Sequence, residues 1–166
     1  MKKFASCLII LLLSSCTISY KFNGASINYN LIKTISVSDF PIRAALVYPP
    51  LSEVFTNSLK DAYTQQTALQ MVDVNGDLQV EGEITGYDLS PQAVGTDAYA
   101  TMTRLTITVK VRFTNTKEPQ YDFDRTFSAY QDFSSTQMLT DVQDGLIETI
   151  TDELVDLIFN ATVANW

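Results

Sequence analysis

The chain has 166 residues, 46% of them hydrophobic, with 19 acidic side chains against 11 basic ones and a formal charge of −8. A chain this acidic does not track a nucleic-acid backbone by bulk charge, and contact with an anionic lipid has to come from a local basic patch. Histidine is absent and the only cysteines are Cys7 and Cys16, which removes His-based triads and His-ligated metal sites.

Met1, Lys2 and Lys3 make a short cationic start. The run from Leu8 to Leu13 is apolar but too short to span a bilayer as a permanent helix. A charged start, a short greasy core and small residues at its end predict a secretory signal peptide over residues 1–15. It closes on Leu13-Ser14-Ser15-Cys16, which resembles the lipobox of bacterial lipoproteins. In that family the Cys thiol is alkylated by a diacylglycerol, the chain is cut just before it, and the new amino terminus is acylated, as with palmitate. Cys16 is therefore the expected lipid attachment site. Cleavage removes two lysines and no acid, so the charge of the remaining 151 residues is −10. That length suits one domain with a real core. With Cys16 acylated, no thiol is left to form a disulfide.

Residues 16–30 read as the lipidated N-terminus and a polar tether, with scattered aromatics at Tyr20, Phe22 and Tyr29. Thr17 rather than Asp follows the Cys, which gives no inner-membrane retention signal of the enterobacterial kind. A single domain is expected over 31–166. Leu31–Val37 is β-branched and partly alternating, hence a strand. Phe40-Pro41 ends it, and Pro49-Pro50 rules out regular structure in the connection that follows. Ser52 is the expected N-cap of a helix to about Ala68, with Val54, Phe55, Leu59, Ala62 and Tyr63 as its apolar stripe. Leu69–Asp73 is a short strand, placed parallel to the first by a right-handed crossover.

Asn75-Gly76 is a turn. A three-strand meander follows. Its first strand is Leu78–Leu89, broken by Ser90-Pro91 and Gly95, with a loop over Gln92–Ala100. Met102–Asn115 is the cleanest period-two signal in the chain, with Leu105, Ile107, Val109, Val111 and Phe113 on one face. After a turn at Glu118-Pro119 the third strand runs Gln120–Tyr130, with Tyr121, Phe123 and Phe127 on one face. A long helix from about Thr136 to Asn160 begins at a capping box of Ser134 and Gln137. Its buried stripe is Leu139, Val142, Leu146, Ile150, Leu154 and Ile158, widened by Ile147 and Leu157. The fold class is thus α+β in the order β-α-β-β-β-α: a two-layer sandwich of a mixed sheet of about four to five strands with both helices on one face.

Arg104, Lys110 and Arg112 fall on the outer face of the second meander strand. One reading is a patch for phosphate on an anionic lipid or glycolipid. The other is cross-strand pairing with Glu81 and Glu83 on one neighbour and Asp122 and Asp124 on the other. Asp144, Glu148, Asp152 and Asp156 repeat every four residues along the last helix, with no Lys or Arg after Arg125. That is either a solvated acidic face or a surface for a basic partner or divalent cations. The loop 90–100 and the turn at Glu118-Pro119 are candidates for insertion into a partner, and Trp166 for a cap on the core. No nucleophile elbow, phosphate loop or mature thiol is present. Paired carboxylates leave only an acid–acid hydrolase as an enzymatic alternative, and the expectation is a non-enzyme without cofactor or metal.

Three stretches carry a family resemblance by their joint occurrence: Val47-Tyr48-Pro49-Pro50-Leu51-Ser52, Gly76 through Thr85, and Gln143-Asp144-Gly145-Leu146-Ile147 with Val163-Ala164-Asn165-Trp166. With the lipobox and the element order, the mature chain resembles the LptE family of lipopolysaccharide-assembly lipoproteins. The resemblance implies an outer-membrane lipoprotein held by its lipid at the periplasmic side, in the inner leaflet. It implies a partner, the LptD-type β-barrel, which such proteins plug and help to fold while lipopolysaccharide is inserted into the outer leaflet. Lipopolysaccharide is itself an implied ligand, bound through basic residues near a strand end and loop. Loop 90–100 has no Lys or Arg, so that contact or a partner contact would fall to Arg104, Lys110, Arg112 and Lys117. The alternative function is a periplasm-facing scaffold for another envelope transport complex.

Overall fold

The computed structural model describes residues 27–46, 48–93 and 100–164. The signal segment, Cys16, most of the tether, the middle of loop 90–100 and Trp166 lie outside the described residues. Five strands form one mixed sheet: β1 (Thr34–Val37), β2 (Gln70–Met71), β3 (Leu78–Ala93), β4 (Ala100–Asn115) and β5 (Phe123–Ser134). The helices are α1 (Pro50–Gln66) and α2 (Leu139–Phe159), the latter prolonged by a π turn over Asn160–Ala164. The spatial order is β2-β1-β3-β4-β5. β1 runs parallel to both β2 and β3, and β3-β4-β5 is an antiparallel meander. The α+β sandwich is as expected, and the two-residue β2 brings the strand count to five.

β4 organises the core. Its odd residues Leu105, Ile107, Val109, Val111 and Phe113 are buried, while Lys110 and Arg112 between them are exposed. This alternation is what a half-buried strand requires. β3 keeps the same two faces only through a bulge. Ile84 pairs with Val109 and Gly86 with Thr108, so Thr85 is the extra residue. The inward set then switches from Leu78, Val80 and Ile84 to Tyr87, which is buried opposite Ile107; Leu89 follows on the same face opposite Leu105 but is exposed. The helices cover this face. α1 buries Leu51, Phe55, Leu59 and Tyr63, and α2 buries Ile147, Ile150, Leu154 and Ile158. The helices meet at their C-terminal ends, where the buried Tyr63 hydroxyl lies 2.7 Å from the Thr162 hydroxyl.

Several local expectations change. Pro49-Pro50 does not exclude structure, because Pro50 opens α1 at a position whose N–H has no intrahelical acceptor. Ser52 is therefore inside the helix, and its hydroxyl donates to the Phe40 carbonyl at 2.7 Å. Phe40 packs on Phe55 with ring centroids 5.0 Å apart. Val54 is exposed and Leu51 takes its place in the stripe.

Pro91 does not end β3. It pairs with Thr103, on a stretch whose far side has no partner strand among the described residues beyond the Ile42–Ile84 bridge. Tyr121 sits in a 3-10 turn over Pro119–Tyr121 rather than in β5. Ser134 belongs to β5 opposite Met102, so it cannot cap α2, which starts without a side-chain cap after Met138. Leu157 is exposed, and Thr151 and Val155 widen the buried stripe instead.

Candidate interaction surface

The uncovered face of the sheet collects the even residues of β4 and their cross-strand neighbours. Glu81, Arg112 and Asp124 form one row, Glu83, Lys110 and Thr126 the next, and Ser90, Arg104 and Asp132 a third near the far end. Between the last two lies a hydroxyl-rich stretch, with Thr108 and Ser128 oxygens 3.1 Å apart. The sequence-predicted cations are thus brought to one face but not to one site. Six residue steps lead from Arg104 to Lys110, about 20 Å along a strand.

Each cation has an acid beside it. Lys110 and Arg112 share Asp124, at 3.4 and 3.9 Å. Together with Glu81 and Glu83 they line a shallow open depression. Arg43, from the connection after β1, reaches Glu83 at 3.9 Å. Exposed pairs of this kind contribute ~0–1 kcal/mol and exchange partners readily.

Arg104 is held more firmly. Its Nε and Nη2 donate to the two oxygens of Asp132 at 2.7 and 2.9 Å, and its guanidinium lies 3.6 Å from the Tyr130 ring centroid. The bidentate hydrogen bonds lower the pKa of Asp132 below its ordinary value and raise that of Arg104. Asp132 was not anticipated as the partner. Asp122, which was, turns away and accepts the Asn115 N–H at 2.7 Å.

Lys117 lies at the opposite end of the sheet, in the turn after β4, where its ammonium meets Asp77 at 3.0 Å. Asp77 is the hub of that end. Its Oδ2 accepts the N–H groups of Lys33 and Thr34 at 2.9 and 3.1 Å and the Thr34 hydroxyl at 3.1 Å. Its own N–H donates to Thr34 Oγ1, and its carbonyl accepts the N–H and hydroxyl of Thr116. The Lys33 N–H above all, with Lys117 and Thr34, lowers its pKa from 3.8 to about 2. Gly76 beside it cannot be replaced: a Cβ there would lie 2.5 Å from Ser36 N and 2.6 Å from the Leu78 carbonyl oxygen. This family-like stretch is therefore a structural lock joining β1, β3 and the β4–β5 turn.

The other two stretches meet each other. The Tyr48 hydroxyl donates to Asp144 Oδ1 at 2.5 Å, and Gln143 Nε2 donates to the Tyr87 hydroxyl at 2.6 Å. The neighbouring carboxylate raises the Tyr48 pKa, and burial raises that of Tyr87. The acidic residues Asp144, Glu148, Asp152 and Asp156 are exposed along α2, and the last two border an open groove against α1 that also holds Asp61. Among the described residues, no three acids converge with metal-binding geometry, and no helix is long and apolar enough to cross a membrane.

No curated protein sequence matches this chain. Among solved structures, the fold is similar to a minor lipoprotein of Acinetobacter baumannii, with a TM-score of 0.50 and 16% identity over 76% of this chain and 89% of that one. A hypothetical protein of Chlamydia trachomatis gives a TM-score of 0.52 at 10% identity, over 76% of this chain and 93% of the other. An uncharacterized lipoprotein B of Nitrosomonas europaea gives 0.50 at 10%, over 78% and 81%. At such identities these likenesses concern the fold alone. Residues 32–162 match the model of the LptE family, described as lipopolysaccharide-assembly, and this range contains all five described strands and both α-helices. The chain belongs to the LptE lipopolysaccharide-assembly family.

Proposed function

We propose that the chain is a non-enzymatic outer-membrane lipoprotein that plugs and helps to assemble an LptD-type β-barrel through which lipopolysaccharide reaches the outer leaflet. In this reading residues 1–15 are removed, Cys16 carries the acyl chains, residues 16–30 leave the inner leaflet as a tether, and the domain from 31 onward enters the barrel. Several acyl chains make such anchoring lasting.

The observation that carries the plug reading is the open sheet face. It is hydroxyl-rich and charged, yet its charges neutralise one another in place: Arg104 with Asp132, and Lys110 and Arg112 with Asp124. A polar, charge-balanced face suits the polar interior of a large membrane barrel, where apolar surface or a strong single-sign field would not. Lipopolysaccharide phosphates would contact Lys110 and Arg112 first, because their pairs are the long, exposed ones. Arg104 would contribute less while Asp132 holds both its donors, and Lys117 less while it is held by Asp77.

Co-purification tests the reading. The acylated chain should be retained with a large heat-modifiable barrel protein from outer membranes in mild detergent. Recovery of the chain alone, from membranes that do contain the barrel, would sink the plug role.

A further inference from the structure

β5 is the outer edge of the sheet. It pairs with β4, and no strand among the described residues lies on its other side. Which of its backbone groups face that free side follows from the neighbouring strands. The Val80 carbonyl accepts the Ser38 N–H, and the Ile84 N–H donates to the Pro41 carbonyl. Before the bulge, the even residues of β3 therefore turn toward β1 and the connection after it, and the odd ones toward β4. Gln79, Glu81 and Glu83 bond Thr114, Arg112 and Lys110, which leaves the odd residues of β4 to bond Phe123, Arg125 and Phe127. Asp124, Thr126 and Ser128 are left with N–H and C=O groups that point outward.

Edge strands are ordinarily guarded by brevity, proline, bulges or charge. β5 runs for 12 residues with no proline and no bulge, and its acids Asp124 and Asp132 are tied to cations of β4. Its inward row is covered only in part. Ala129 and Phe133 are buried, whereas Phe123 and Phe127 are half-buried and Arg125 is exposed. The course of α2 explains this. Tyr63 of α1 holds the C-terminal end of α2, with the Phe159 ring centroid 5.5 Å away and Thr162 at its hydroxyl. Asp152, Val155 and Asp156 line the groove toward α1, and Leu157, roughly 200° round the helix from Val155, is exposed on the side of β5. Near its start, the inward row of β5 is thus left open between helix and edge. The Phe123 ring lies there, with centroids 5.4 Å from Phe113 and 6.3 Å from Phe127. The Arg125 guanidinium is 4.8 Å from the Phe123 centroid, and no carboxylate of the described residues pairs with it.

We propose that this edge docks an extended segment of a partner protein in which an acidic residue stands between two apolar ones, in the order apolar-x-acid-x-apolar. The segment adds as a strand. Its backbone bonds the outward groups of Asp124, Thr126 and Ser128, and its side chains on the inner face complete the open row. The two apolar residues fall opposite Phe123 and Phe127, and the acid falls opposite Arg125. Aromatic–apolar and opposite-charge pairs are the cross-strand combinations that stabilise sheets. The intervening positions face Asp124 and Thr126 on the outer side and suit hydroxyl side chains. The pattern is symmetric, so it fits in either chain direction. A slip of one residue would turn the acid and both apolar groups to the wrong face.

Charge singles out the occupant. Residues 1–26 contain no acid, and the inward residues of β5 contain none for the β5 of a second copy to offer. A lipid headgroup could meet Arg125, but it does not bond alternate N–H and C=O groups along a strand. A foreign segment with an acid at the middle position satisfies both the backbone and the cation. The site depends neither on the barrel partner nor on acyl chains, so its failure is distinguishable from failure of the plug role.

The test titrates the full chain in detergent with two short peptides and follows backbone amides by nuclear magnetic resonance. One peptide alternates threonine with valine, glutamate and valine; the other has lysine in place of the glutamate. The glutamate peptide should slow exchange of the Asp124, Thr126 and Ser128 amides and bind about threefold more tightly than the lysine peptide. Arg125→Glu should reverse that preference. Thr126→Pro removes one outward N–H and no bond to β4. It should abolish binding of both peptides while the Phe123, Arg125 and Phe127 amides stay slow. Equal affinity for the two peptides in the wild type and in Arg125→Glu overturns the proposal. So does binding that leaves the Asp124, Thr126 and Ser128 amides unchanged. So does protection of these amides without peptide that is lost on dilution, which would mean that a second copy holds the edge.

Discussion

The Tyr48 hydroxyl donates to Asp144 at 2.5 Å, across 96 positions of sequence. This bond ties the connection before α1 to the first half of α2, next to the Gln143–Tyr87 bond that ties the same helix to β3. Two stretches that look like family signatures are thus one contact. Asp144 is therefore not simply one member of an acidic face.

Tyr48→Phe and Asp144→Ala should each lower the denaturation midpoint. The double variant should lose no more than the worse single one, because both remove the same hydrogen bond. Chemical denaturation of the four proteins measures this, and fully additive losses would show that the two side chains act independently.

Asp77 predicts an acid-sensitive lock. Its folded pKa is depressed, from 3.8 to about 2, by the Lys33 N–H first and by Lys117 and Thr34. A depressed carboxylate stabilises the fold above its unfolded pKa and loses that contribution as the pH falls through its folded one. The stabilisation should be complete above about pH 4 and gone below about pH 2, and it amounts to no more than roughly 2 kcal/mol. Asp77→Asn should lower stability at pH 7 and flatten the loss between pH 4 and 2, as followed by urea denaturation. An unchanged acid limb in the variant would refute the assignment.

Two glycines should respond oppositely to alanine. A Cβ on Gly82 would lie 2.5 Å from the Phe40 ring and closer still to the Lys110 carbonyl oxygen, so Gly82→Ala forces apart β4 or the Phe40–Phe55 contact. It should cost about 1–3 kcal/mol, as overpacking does. Gly145 is in α2 with nothing within 4 Å of a built Cβ. Gly145→Ala should stabilise by up to about 1 kcal/mol through helix propensity. Thermal unfolding of the two variants gives both signs in one experiment.

Lipopolysaccharide contact should be uneven across the sheet. Lys110→Ala with Arg112→Ala should weaken binding and reduce its salt dependence more than Arg104→Ala, since the Arg104 donors are already engaged by Asp132 at 2.7 and 2.9 Å. Asp132→Asn should free Arg104 and raise affinity. Titration of purified lipopolysaccharide at two ionic strengths decides it. Binding unaltered in the Arg104, Lys110 and Arg112 triple-alanine variant would remove the sheet face from the site.

What the amino-acid sequence determined is what local periodicity and composition can carry. The two-residue period of β4 and the helical stripe of α2 are interactions within one element, so burial on one face is legible without the fold. The exclusion of histidine chemistry and the expectation of acylation at Cys16 likewise need no neighbours. The tertiary structure alone decided what depends on register and on distant partners. The Thr85 bulge keeps Tyr87 facing the core, and only the strand beside it reveals the extra residue. Pro91 remains in β3 because no strand among the described residues lies on its far side. Asp132 rather than Asp122 pairs across β4, because strand register places it opposite Arg104. Asp77, 43 positions from Thr34, became a hub because parallel pairing brings the start of β3 beside β1. Periodicity is a property of a segment, whereas a salt bridge, a cap or a lock is set by which segments the fold places side by side.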